Sequence, residues 1–333
     1  YGSDIVQEYI KKLGYTVLKP DFNLLNLWQM WYRGKVSSFH TYYRFNGKKR
    51  VRRERATLGM AKTVCEDWAN LLLNEKVAIS CKNDSDTGLI KDVLHNNNFR
   101  IQGNRLLEKA FAFGTGAFVE FLQNDKVNID YISADMIYPI SWDNGEIKEC
   151  AFGSEKIIDG KKCIYIQLHV LENGKYIIKN RLIDKDTKSE IELPSEIKAD
   201  YNTKSDIPQF QIIQPNISNN YDLNSPLGVS VFANAIDVIK GIDLVYDSYL
   251  NEFRLGKKRI IVPTGMAQVM NGGSSHPVPV FDDNDTEFYA FQSSDKELSS
   301  IKEINMAIRS AEHSEGLNKS LSLLSHKCGL GEG

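Results

Sequence analysis

The sequence is poor in the residues that staple or metallate a fold. Its five cysteines, Cys65, Cys81, Cys150, Cys163 and Cys328, are odd in number, widely spaced and never in a C-x-x-C pair, which argues against a disulfide framework or a structural zinc. Of six histidines, His313 and His326 lie 13 apart on one helical pattern. No other histidine has a cysteine or carboxylate at ligand spacing, and His326 with Cys328 alone cannot hold a zinc ion. No apolar run approaches the roughly 20 residues needed to cross a bilayer. The N-terminus also lacks the charged, apolar, small-residue order of a signal peptide, so neither a membrane partner nor export is expected. Excess positive charge is missing as well: 41 Lys and Arg face 43 Asp and Glu, a net charge of −2. Proteins that grip phosphates over a wide surface are usually strongly basic, so any contact with DNA is expected to be local or weak.

Catalytic signatures are missing too. Gly34, Gly160, Gly174 and Gly256 each precede a lysine followed by neither serine nor threonine, so none closes a phosphate-cradling loop. There is no H-E-x-x-H, and Gly228-Val229-Ser230-Val231-Phe232 lacks the second glycine of a nucleophile elbow. Gly114 and Gly116 lack the third glycine of a dinucleotide loop and run from helix to strand, the reverse of the required order; a helix-to-strand turn explains them. Asp84 and Asp86 before Gly88, and Asp282, Asp283 and Asp285, have neither the sixth-position glycine nor the distal glutamate of a calcium loop. Helix capping and a solvated turn account for both. The expectation is no catalytic residue, no metal and no cofactor.

What is present is an ordinary folding composition, 42% hydrophobic and 25% charged over 333 residues, enough for two or three packed units. The first hundred residues read as helical, with apolar spacing at Ile5, Tyr9 and Ile10, then Leu24, Leu25, Leu27, Trp28 and Trp31. Asn46-Gly47 between Tyr43-Arg44-Phe45 and Val51 signals a hairpin. Helix is predicted again over Leu58–Asn74, Asp86–His95 (capped by Asp86 or Thr87) and Asn98–Phe113. Ala117–Ile183 alternates with Asn-Gly and Asp-Gly turns, an antiparallel meander, and Lys185–Asn224 reads as loop. Ser225 as cap and Pro226 in the first turn open a helix running to Leu255, about 40 Å long. Strands are predicted at Arg259–Val262 and Glu287–Phe291, loop at Met270–Pro279, and a second long helix at Ile301–His326. The class is α+β.

Two basic clusters stand out. Lys48, Lys49, Arg50, Arg52, Arg53 and Arg55 interleave with Tyr42, Tyr43 and Phe45. They would suit phosphates or an acidic partner surface, or simply form a solvated hairpin tip. Arg254, Lys257, Lys258 and Arg259 lie where the long helix ends and complement its negative C-terminus.

Trp31-Tyr32-Arg33-Gly34-Lys35, Arg55 to Val77, Ser225 to Pro263, Phe281 to Phe291 and Ile301 to Leu330 together resemble the portal proteins of tailed phages, in the branch common in phages and prophages of Gram-positive bacteria. The resemblance implies a dodecameric head-to-tail connector at the capsid vertex of the virion, assembled in the host cytoplasm, with DNA packaged and ejected through its channel. Carried onto this chain, residues 1–224 would be wing, 225–255 the descending stem helix, 256–300 the clip, 301–327 the returning stem helix and 328–333 the start of a tunnel loop. The chain is expected to be a piece that stops before the crown. The implied partners are further copies of itself, a packaging terminase, a head-completion or tail adaptor, the major capsid and scaffold proteins, and double-stranded DNA. Lys302, Asn305, Arg309 and Lys319, which lie off the apolar stripe of the second helix, are the candidate DNA-channel residues; stem-to-stem salt bridges are the alternative for them. Another phage head or tail structural protein is the second reading. A nucleic-acid-processing enzyme is disfavoured by the missing metal carboxylates and phosphate loop.

Overall fold

The computed structural model describes residues 2–45, 49–123, 126–158, 160–256, 259–263, 268–269, 278–279, 288–291 and 302–331. In chain order these form α1 (Gly2–Lys12), α2 (Phe22–Tyr32), α3 (Ser37–His40), β1 (Thr41–Phe45), β2 (Arg50–Glu54), α4 (Met60–Leu72), α5 (Asp84–Asn96) and α6 (Phe99–Phe113). Strands β3 (Gly116–Gln123), β4 (Lys126–Ser133), β5 (Ile137–Asp143), β6 (Glu146–Ile158), β7 (Lys161–Glu172), β8 (Lys175–Asp184), β9 (Glu190–Ile191), β10 (Asp200–Asn202) and β11 (Phe210–Ile213) follow. Then come α7 (Ile236–Leu255), β12 (Arg259–Pro263), β13 (Gln268–Val269), β14 (Val278–Pro279), β15 (Phe288–Phe291), β16 (Lys302–Ile304) and α8 (Ser310–Lys327). The chain divides into a larger unit, Tyr1–Phe39, Gly59–Ile239 and Leu323–Gly333, and a smaller one, His40–Leu58 and Lys240–Ser322.

The larger unit is organised by the predicted meander. Strands β5 to β8 pair antiparallel in sequence, with β10 and β9 added along β8. Alternation in β7 sends Ile164, Ile166, Leu168 and Val170 to one face, where Ile5, Val6 and Ile10 of α1 cover them. The opposite face carries Tyr165, Gln167 and His169, and it too is buried. There Phe152 packs with Phe210 and Val119, which belong to the second sheet, β11-β3-β4. Burial on both faces explains why the polar groups of Tyr165, Gln167, His169 and Asn180 must find partners in the core. Tyr165 Oη donates to Asn180 Oδ1 at 2.7 Å, and His169 Nε2 lies 3.4 Å from Gln167 Oε1 while its Nδ1 has no protein partner. Without solvent to stabilise an imidazolium, burial lowers the His169 pKa to about 3.

Helix α6 packs on α4, where Trp68 stacks on Phe111 with ring centroids 5.4 Å apart. The Trp68 indole N–H also donates to Cys328 O at 2.9 Å and so ties down the last residues of the chain. At the end of α6, Gly114 takes φ +83° and presses against Gly228: a Cβ on Gly114 would lie 2.4 Å from Gly228 O, and one on Gly228 would lie 2.2 Å from Gly114 O. The helix-to-strand turn predicted at Gly114 and Gly116 is therefore also a backbone crossing.

Four expectations are corrected. The helix predicted over Ser225–Leu255 is helical only over Ile236–Leu255, after a 3₁₀ turn at Ala233–Ala235. Residues ahead of it spend their amides on tertiary bonds instead, Gly228 N to Thr115 Oγ1 at 3.0 Å and Val231 N to Phe111 O at 2.9 Å. At 1.5 Å per residue, α7 is about 30 Å long rather than 40 Å. The helix predicted over Ile301–His326 begins at Ser310, because Lys302–Ile304 pairs antiparallel with β12; Ile301 lies outside the described residues. Neither Asp86 nor Thr87 caps α5, which starts at Asp84 after Asn83. The Thr87 hydroxyl instead bridges Asn83 O and Cys81 N. Within Lys185–Asn224, short strands β9 to β11 replace part of the expected loop, since they pair with β8 and β3.

Candidate interaction surfaces of the smaller unit

Asp243 and Asp247 stand four apart on α7, so both carboxylates lie on one face of the helix. Asp243 is buried, with 1% of its surface exposed. It is satisfied by His40 Nε2 at 3.1 Å and by the Thr57 hydroxyl at 3.0 Å, while the Leu58 amide donates to its other oxygen at 2.9 Å. Asp247 Oδ1 accepts the Ala56 amide at 3.0 Å. Both ends of the β1-β2 hairpin are thus fastened to one helix face, by Asp243, whose burial demands full pairing, and by the half-buried Asp247.

The hairpin register sets Tyr42 opposite Arg53 and Arg44 opposite Val51 on one face, and Tyr43 opposite Arg52 and Phe45 opposite Arg50 on the other. The first face meets α7 across a groove of about 480 Å³, which Asp247, Asn251 and Arg254 line from the helix. Arg55 sits 5.2 Å from the Tyr42 ring centroid. The second face is largely exposed, Tyr43 by 66% and Phe45 by 63%, although the edges of Phe45 and Glu54 also reach the groove. The predicted turn residues Asn46 and Gly47, and Lys48 beside them, lie outside the described residues, and Lys49 is exposed.

Of the second basic cluster, Arg254 lines the groove and Arg259 opens β12, while Lys257 and Lys258 lie outside the described residues. Among the channel candidates, Lys302 is the first residue of β16 and Asn305 is exposed. Arg309 pairs with Glu252 of α7, donating from Nε at 3.1 Å and also from Nη2, and His313 Nε2 lies 3.4 Å from the same carboxylate. The Arg309 hydrogen bond holds the Glu252 carboxyl below its ordinary range, with His313 adding to the effect. Lys319 pairs with Glu315 one turn earlier, at 2.6 Å. The acidic triplet Asp282, Asp283 and Asp285, and most of the segment Met270–Pro279, lie outside the described residues.

Sequence reasoning missed His40, Thr57 and Asp243. Their only sequence signal was a carboxylate at Asp243 beside Ile242, close to the apolar stripe of a helix. Among the described residues no group of three or more His, Cys, Asp and Glu side chains could hold a metal ion, and no helix is long and apolar enough to cross a membrane.

The larger unit is thus mixed helix and sheet, and the smaller one carries a hairpin, short strands and most of α7 with cationic and apolar side chains exposed. The family described as phage portal protein, SPP1 Gp6-like, matches residues 19–330, and the chain belongs to that family. It is a structural phage protein of an oligomeric, capsid-associated assembly at the capsid vertex of the virion. No curated protein matches the chain.

Proposed function

We propose that this chain is the subunit of a closed, dodecameric portal ring whose channel passes double-stranded DNA into the capsid during packaging and out during ejection. The observation that carries the reading is the apolar surface the smaller unit leaves open. Leu244, Leu250 and Phe253 of α7, with Ile304, Met306 and Ile308 ahead of α8, are 36–55% exposed in the single chain. Exposed apolar faces of this kind mark association surfaces, and a head-to-tail contact between copies closes into a ring when its rotation closes.

On this reading residues 225–255 and 301–327 supply the stem, and 256–300 form the clip that docks the packaging terminase and later the head-completion or tail adaptor. Residues 1–224 act as the wing that meets the major capsid and scaffold proteins, and 328–333 lead into a tunnel loop. Assembly takes place in the host cytoplasm. The ring acts as a conduit with no catalysis of its own. Arg309 and Lys319 are each shared with a carboxylate, which suits a wall that touches sliding DNA weakly and without regard to sequence. Negative-stain images and mass measurement of the full chain test the proposal: closed rings are expected, and a monomer persisting at high concentration overturns it.

A further inference from the structure

We infer that the β1-β2 hairpin is an inter-subunit arm, whose outer face of Tyr43, Phe45, Arg50 and Arg52 docks on an acidic surface of a second copy of this chain. The inference rests on the ring reading above and names one of the contacts that closes it.

Three observations point there. A two-stranded sheet of its own is marginal in water, and among the described residues this one is fastened at its base, through Asp243 and Asp247, and borders the groove beside α7. The other face carries two aromatic rings about two-thirds exposed, Tyr43 opposite Arg52 and Phe45, which also borders the groove, opposite Arg50; Arg52 shares its charge with the exposed Glu54 at 2.9 Å, a surface pair that a stronger acidic partner can replace. Aromatic and arginine side chains set together are the composition of the energetic centre of a protein interface.

The third observation is charge. His40–Leu58 holds seven Lys and Arg against one Glu, a net +6, so with the whole chain at −2 everything else in a copy carries −8. A neighbouring copy is therefore a complementary surface, and opposite fields steer such encounters. Duplex DNA fits the cations but not the rings, because a stacked duplex offers no free base faces for Tyr43 and Phe45; aromatic platforms serve unpaired strands.

The test uses the full chain with two double variants, Arg50→Glu with Arg52→Glu, and Tyr43→Ser with Phe45→Ser. The second leaves the charge unchanged, and circular dichroism and melting of the monomer check that each folds. Assembly is followed by mass photometry at low and high salt, with duplex binding measured in parallel by mobility shift. Both variants are expected to need at least tenfold more protein to assemble, and the wild type to assemble less well as salt rises. Crosslinks from a cysteine placed at Tyr43 are expected to reach Asp or Glu neighbourhoods of another copy. Variants that assemble like the wild type overturn the inference while leaving the ring reading intact, as does a defect confined to duplex binding. A wild type that stays monomeric at every salt concentration overturns the ring reading and the arm with it.

Discussion

In the larger unit, α1 seals one face of the main sheet so completely that Val6, Ile10, Ile164 and Ile166 keep no exposed surface. Helix α7, which lies in the smaller unit from Lys240 onward, is nearly twice as long, yet it leaves Leu244 and Phe253 close to half exposed, and among its few buried side chains is a carboxylate, Asp243. The first unit is stabilised by apolar area removed from water, about 25 cal/mol per Å². The second is positioned by directional bonds that fix geometry but add little net stability, and part of its apolar area stays exposed in the single chain. A subunit that must hold its shape alone and change its surroundings on assembly needs both kinds of region.

The sharpest way to break the larger unit is at its backbone crossing. In Gly114→Ala the new Cβ would meet Gly228 O at 2.4 Å in a left-handed conformation that already disfavours side chains. A loss of about 4 kcal/mol is expected from overpacking plus strain, read by urea denaturation, with Gly228→Ala comparable. A loss under 1 kcal/mol would show that the two strands of chain separate easily.

The matching blow to the smaller unit is Asp243→Ala, which leaves the Leu58 amide, the Thr57 hydroxyl and His40 without their acceptor. About 3 kcal/mol is expected, with the loss seen first as hydrogen exchange at Ala56 to Leu58 while the amides of β7 stay protected. Simultaneous loss of protection in both units would erase the contrast between them.

The third test separates the units by pH. His169 stays neutral in the fold down to about pH 3, whereas the unfolded chain takes up a proton near pH 6.5. As pH falls below 6.5 the unfolded state binds the extra proton, so stability drops, by about 2 kcal/mol at pH 5. His169→Leu is expected to flatten the difference between pH 6.5 and pH 5 whatever its effect at neutral pH; an unchanged slope would show that the ring is reached by water.

Much of this was legible in the residues. The hairpin followed from Asn46-Gly47 between Phe45 and Val51, and the meander from the alternation of Ile164 to Val170, because both signals are local. The helix starts were not. Ser225-Pro226 has every mark of a helix beginning, but Gly228 and Val231 bond to residues more than a hundred positions earlier, and such tertiary partners override local propensity. Ile304 and Ile308 keep helical spacing while Ile304 pairs with Arg259 in a sheet. The Asp243 clamp was invisible for the same reason, since His40 lies 203 positions away. Arg309 and Lys319 were readable as cations off an apolar stripe, with salt bridges as the alternative to a channel wall, and geometry shows them shared with Glu252 and Glu315.

That sharing sets the smallest expected effect. Arg309 and Glu252 form a hydrogen-bonded pair at the solvent boundary of the smaller unit, where desolvation is slight and salt screens the attraction. Arg309→Gln should therefore leave the neutral-pH melting temperature nearly unchanged. Its signature lies in acid. A carboxylate whose folded pKa is depressed contributes stability above its unfolded value and loses it as pH falls through the folded value, and the first cause of the Glu252 depression is the Arg309 hydrogen bond. Removing that bond should move the Glu252 titration, followed by carboxyl carbon NMR, upward toward the ordinary range, leaving only the weaker pull of His313. If Arg309 instead served mainly as a phosphate contact, the Glu252 titration would stay put while the salt dependence of duplex binding lost about one unit of slope. The two measurements on one variant thus decide whether this cation belongs to the stem or to the channel.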